Sequence, residues 1–145
     1  MGFSVSGSAA ILFIAAFVSV GILYSAAFNG FEQVQDAETA SDDRVLEAKN
    51  TAIEVANVTY NDSEHEMTVN VTNNGSTTLS VSGTDLVSNG SYVPDSAYLN
   101  TSVDGNENTD LWLPGETYSL TVSQSPKPDR IKVVTSNGVT ATEVV

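Results

Sequence analysis

The chain has 145 residues and sets 18 acidic side chains against five basic ones, a formal net charge of −13. Such a surface repels nucleic acid and anionic headgroups, which excludes nucleic acid as a partner; it suits a saline habitat, where molar salt cuts the Debye length to about 3 Å. With no cysteine and a single histidine, His65, the chain has no disulfide framework, no thiolate metal site and no His-pair zinc site.

The first charged side chain is Glu32, and the run from Phe3 to Phe28 before it is apolar, small or hydroxyl-bearing. As a helix it is long enough to cross a hydrocarbon core of about 30 Å. A cleaved signal peptide has a basic flank and an apolar stretch of about 7–15 residues. This run has no Lys or Arg ahead of it and is longer, so residues 1–30 are expected to be a retained transmembrane anchor in the lipid bilayer. Ala15 with Ser19 and Gly21 with Ser25 form small-xxx-small pairs of the kind that let helices approach in lipid. Tyr24 stands where an interfacial aromatic is expected.

Residues 31–52 predict a helical stalk, continuous or jointed. Phe31, Val34, Val45, Leu46 and Ala52 recur at roughly helical spacing. Asn29-Gly30 is a possible break, and Ser41-Asp42-Asp43 a possible second N-cap. The heptads are too few and polar to argue for a coiled coil.

From Ile53 the apolar period becomes twofold. Met67, Val69 and Val71 alternate with polar residues, as do Leu79 and Val81, and Tyr118, Leu120 and Val122. That is the pattern of antiparallel strands with one wet face. The alternation slips phase between Val55 and Val58, which predicts a bulge or a strand switching sheets. Asn74-Gly75, Asn89-Gly90, Pro114-Gly115 and Asn137-Gly138 are turn signals, the last joining strands at 131–136 and 139–144. Residues 53–145 are therefore expected to form an extracytoplasmic immunoglobulin-like antiparallel β-sandwich, with Trp112 in its core.

Six asparagines, Asn57, Asn61, Asn70, Asn74, Asn89 and Asn100, stand in N-x-S/T glycosylation patterns. Asp104, Asn106, Asn108 and Asp110 resemble the start of a calcium loop, but Thr109 replaces its glycine and Gly115 its bidentate glutamate. A polar inter-strand loop is the preferred reading there. Lys127, Arg130 and Lys132 cluster three of the five basic residues and are a candidate surface for an acidic partner. His65, between Glu64 and Glu66, reads as a surface residue at a strand start. Hydrolase, zincin, P-loop and dinucleotide fingerprints are all missing, so neither catalytic residues nor a cofactor is expected.

The opening MGFSVSGSAA with ILFIAAFVSVGILYSAAFNGFEQVQDA, and the continuation DDRVLEAKNTAIEVANVTYN, resemble the archaellum (archaeal flagellum) stator protein FlaF, also called ArlF, in its haloarchaeal form. That resemblance implies a non-enzymatic, single-pass protein whose β-sandwich lies between membrane and S-layer. Its implied partners are the S-layer glycoprotein and the related stator protein FlaG, with a possible homodimer. Two alternatives stand beside it. Gly2-Phe3-Ser4 is similar to a prepilin processing site, which points to a type IV pilin-like filament protein. The other is an anchored glycan- or solute-binding module.

Overall fold

The computed structural model describes residues 2–145, with side-chain surroundings from residue 5 onward. Helix α1 runs from Gly2 to Asn50 without interruption. Asn29-Gly30 does not break it. Gly30 has nothing within 4 Å of where a Cβ would stand, so only its intrinsic cost of about 1 kcal/mol opposes the helix, and the good helix formers around it outweigh that. Likewise Ser41-Asp42-Asp43 is helix interior rather than a second start.

Two compact units divide the chain, one up to Asp43 and one from Arg44 to Val145. In the first, every large apolar side chain from Val5 to Val34 is at least 55% exposed. A helix apolar on all faces with no protein around it needs lipid or other helices as its surroundings. It is long and apolar enough to cross a membrane by length and composition. Ser19 and Ser25 donate their hydroxyls to the carbonyls of Ala15 and Gly21 one turn back, so neither brings an unmet hydrogen bond into an apolar medium. Tyr24 and Phe28 stack, with ring centroids 5.7 Å apart, just before the first charge.

The second unit holds ten strands: β1 Ile53–Asn61, β2 Glu66–Asn73, β3 Leu79–Ser80, β4 Asp85–Ser88, β5 Ser91–Val93, β6 Tyr98–Val103, β7 Leu111–Trp112, β8 Thr117–Ser123, β9 Arg130–Val134 and β10 Thr140–Val144. One sheet has the order β1-β2-β8-β6, the other β10-β9-β4-β5, and β3 with β7 forms a short ribbon. All pairs are antiparallel. The alternation read in β2 and β8 is the inward face: Met67, Val69, Val71, Tyr118, Leu120 and Val122 are buried with Leu86, Val93, Ile131 and Val133 of the facing sheet. Trp112 is fully buried, its ring 5.5 Å from that of Tyr118 and its Nε1–H donated to the Glu116 carbonyl at 2.9 Å. The phase slip in β1 is a bulge, the register against β2 shifting between Val55 and Asn57.

Two strand readings change. The Leu79–Val81 strand shortens to two residues: the Val81 amide still bonds the Asp110 carbonyl, but the next amide, that of Ser82, is taken by the Asp110 carboxylate. Asn74-Gly75 makes no hairpin turn; its amides bond the Ala52 carbonyl just beyond α1.

Candidate functional site at the helix–sandwich junction

A helix ends with four backbone carbonyls that have no partner within it. Here residues beyond the helix supply partners to two of them, those of Glu47 and Asn50. The Glu47 carbonyl accepts from the Thr51 hydroxyl at 2.8 Å and from the Thr77 hydroxyl at 3.4 Å, and the Asn50 carbonyl from the Ser76 amide at 2.8 Å. Beyond the helix the Ala52 carbonyl accepts from the Asn74 and Gly75 amides at 2.8 and 3.0 Å. Residues 74–77, joining β2 to β3, thus clasp the helix exit.

The clasp is held from inside by Asn73. Fully buried, it donates Nδ2 to the Thr77 carbonyl at 2.8 Å and the Trp112 carbonyl at 3.2 Å, and accepts from the Gly75 amide at 3.1 Å. On the opposite side the buried Thr51 hydroxyl accepts from Asn137 Nδ2 at 2.6 Å, and Asn137 Oδ1 accepts from the Thr135 hydroxyl. The helix exit is fixed to both sheets, through the β2–β3 loop and the β9–β10 turn. An open cleft of about 430 Å³ beside it is lined by Arg44, Glu47, Ser136 and Asn137.

Sequence reasoning missed this junction. Asn73 was visible in principle, since it continues the inward phase of Met67, Val69 and Val71 and so had to be a buried polar residue. The Thr51–Asn137 bond had no signal, its ends being 86 positions apart.

Three of the four calcium-loop candidates, Asp104, Asn106 and Asp110, are each committed through the side chain to a separate structural bond. Asp104-Gly105, with φ of 47° and 84°, is a tight turn of type I′ that closes Val103 onto Asn106. Asp104 Oδ1 accepts from the Thr117 amide at 3.0 Å and Asn106 Oδ1 from the Asn108 amide at 3.0 Å. The Asp110 carboxylate accepts from the Ser82 amide and the Ser80 hydroxyl, both at 2.7 Å. Led by the Ser82 amide, these bonds hold its carboxyl below the usual carboxylate range. Among the described residues no three His, Cys, Asp or Glu side chains are placed to hold a metal ion.

Arg130 and Lys132 alternate with buried Ile131 and Val133, so both lie on the outer face of β9, and Lys127 is exposed in the preceding loop. His65 has φ of 54° in the turn before β2, and its Nδ1 lies 3.5 Å from the Tyr60 hydroxyl. Of the glycosylation candidates, Asn57, Asn61, Asn74, Asn89 and Asn100 are exposed and Asn70 is half-buried. Asn89-Gly90 also forms the β4–β5 turn, with φ of 47° and 84°.

The family model of archaeal-type flagellins matches residues 2–144. The chain belongs to the archaeal-type flagellin family. Of the Met1-Gly2 pair whose removal would mark prepilin processing, Met1 lies outside the described residues. Among solved structures, the archaellum periplasmic stator protein FlaG from Sulfolobus acidocaldarius is 21% identical, covers 66% of this chain and 99% of its own, and gives a TM-score of 0.48. The FlaF–FlaG stator complex from the same organism is 20% identical over 64% of this chain and 87% of that one, with a TM-score of 0.46. No curated protein matches.

Proposed function

We propose that this chain is a non-enzymatic stator component of the archaellum. Its helix would be anchored in the cell membrane, and its sandwich would stand outside, holding S-layer protein and a FlaG-type stator partner. Membership of the archaeal-type flagellin family supports a place in the archaellum system. The resemblance of the first sixty or so residues to FlaF supports the stator role within it.

The observation that carries the reading is the helix exit. A stator resists torque, and a lone bilayer helix offers little resistance to lateral drag, so load must pass into a folded body held by something fixed. Here α1 runs unbroken to Asn50 and its end is bonded to loops from both sheets. The test is capture of purified S-layer protein by the full-length chain in mild detergent and molar salt. Retention supports the proposal. Failure to retain it, by a chain whose fold is verified, contradicts the S-layer role.

A filament reading is favoured by the same family match, because an apolar helix exposed on all sides also suits packing among neighbouring helices. Intact mass separates the two, since loss of the N-terminal residues to a prepilin peptidase would favour the filament.

A further inference from the structure

The six N-x-S/T tripeptides look alike in the sequence and are unlike in the fold. A transferase must free the asparagine carboxamide to rotate and must reach the hydroxyl two residues on. At Asn61, Nδ2 is held by Glu64 at 2.7 Å while Oδ1 accepts from the Ser63 and Glu64 amides. Asn74 Nδ2 is held by Glu54 at 2.8 Å, and the Ser76 hydroxyl of that tripeptide points to the Asn50 carbonyl in the junction clasp. Asn100 Nδ2 is held by Glu107 at 3.0 Å. Asn89 Oδ1 accepts from the Asp129 and Arg130 amides, which fixes the carboxamide plane. Asn70 lies half-buried in β2, between β1 and β8, and its Thr72 hydroxyl is paired with that of Thr117 at 3.3 Å.

Asn57-Val58-Thr59 differs from all five. Asn57 and Thr59 are exposed on the outer face of β1, the outermost strand of its sheet, beside the bulge. Among the described residues, neither the Asn57 carboxamide nor the Thr59 hydroxyl makes a hydrogen bond.

We propose that Asn57 is the principal N-glycosylation site of this protein, its donor an oligosaccharide carried on a polyprenyl phosphate. In the transfer, Asn57 Nδ2 attacks the anomeric carbon of the first sugar. The N–C bond forms, the bond from that carbon to the phosphate oxygen breaks, and the lipid phosphate leaves with the electron pair. The amide proton passes to a base of the transferase. Asn61, Asn74 and Asn100 must first give up a charge-assisted hydrogen bond, which disfavours each by about tenfold or more. Asn70 faces Asn57 directly across β1 and β2, so a sugar on Asn57 also shields it.

The inference rests on the proposed exterior placement of the sandwich. The test is mass spectrometry of the full-length protein isolated from the cells that make it, cleaved at glutamate to release the peptide 55–64, with the modified side chain located by fragmentation. Glycan on Asn57 in most molecules is expected, lost in Thr59→Ala and kept in Thr59→Ser, with the fold of both verified by Trp112 fluorescence. In parallel, protease is added to intact cells. A bare Asn57 in a chain that the protease reaches overturns this proposal alone. A bare Asn57 in a chain that the protease does not reach overturns the exterior placement with it.

Discussion

Substituting Gly75→Ala would place a Cβ 2.5 Å from the Ala52 nitrogen, 2.5 Å from the Asn50 carbonyl oxygen and 3.0 Å from the Thr51 Cα. All three are backbone atoms of the helix exit, so no side chain can swing aside. Gly75 does not have a positive φ, which leaves sterics as the whole penalty. Overpacking of this kind costs about 1–3 kcal/mol. Relief of the clash also strains the Asn74, Gly75 and Ser76 amide bonds, each worth about 0.5–1.5 kcal/mol. The lower chain entropy of alanine in the unfolded state returns about 0.4–1 kcal/mol. The balance is a loss of about 2–4 kcal/mol, or roughly 10–20 °C in Tm for a unit of this size. Thermal unfolding of the full-length chain, followed through the fluorescence of its single tryptophan, reads this directly. Hydrogen exchange should quicken first at residues 74–76. Gly30→Ala is the control: with open space around it, it should be neutral or slightly stabilising. A Gly75→Ala protein with unchanged Tm and unchanged exchange at 74–76 would refute the clasp.

Asn73→Ala should cost about 2–4 kcal/mol, since it leaves the buried Trp112 and Thr77 carbonyls each short of a donor; urea unfolding with an unchanged midpoint would contradict it. Trp112→Ala should cost about 3–5 kcal/mol in the same assay, by opening a cavity beside Tyr118. Asp110 titrates below the usual carboxylate range, so its hold on residues 80–82 is full above that range and is lost as pH falls through its lowered value. Asp110→Asn should therefore remove the acid limb of amide exchange at Ser82, and persistence of that limb would count against the bond. With a net charge of −13, Tm should rise between about 0.1 M and 1 M salt as the Debye length falls from about 10 to about 3 Å; a flat or falling profile would deny that self-repulsion limits the fold.

Much of the sandwich was legible because burial and alternation coincide. Met67, Val69 and Val71 could face inward only as a strand, and the phase slip at Val55–Val58 pointed to a bulge or a strand switching sheets, of which the register shows the bulge. The sequence pattern was less informative where one pair of residues serves two readings. Asp104-Gly105 opens a calcium-like string and also makes a type I′ turn, with φ of 47° and 84°. Leu79 and Val81 alternate like a strand, yet the carboxylate of Asp110, thirty positions from Ser80, captures the Ser82 amide that would have continued it. The junction lay beyond reach for the same reason: its long-range bonds, such as Ser76 to Asn50 and Asn137 to Thr51, link residues 26 and 86 positions apart through loops, where no periodicity exists to be read.

The central claim is that this chain holds the archaellum motor still, and a strain lacking it tests that most directly. Swimming should be lost or severely reduced, whether filaments are present on the cells or fail to assemble, and should return when the full-length chain is restored. Normal swimming speed in the deletion strain, with only surface adhesion impaired, would contradict the account.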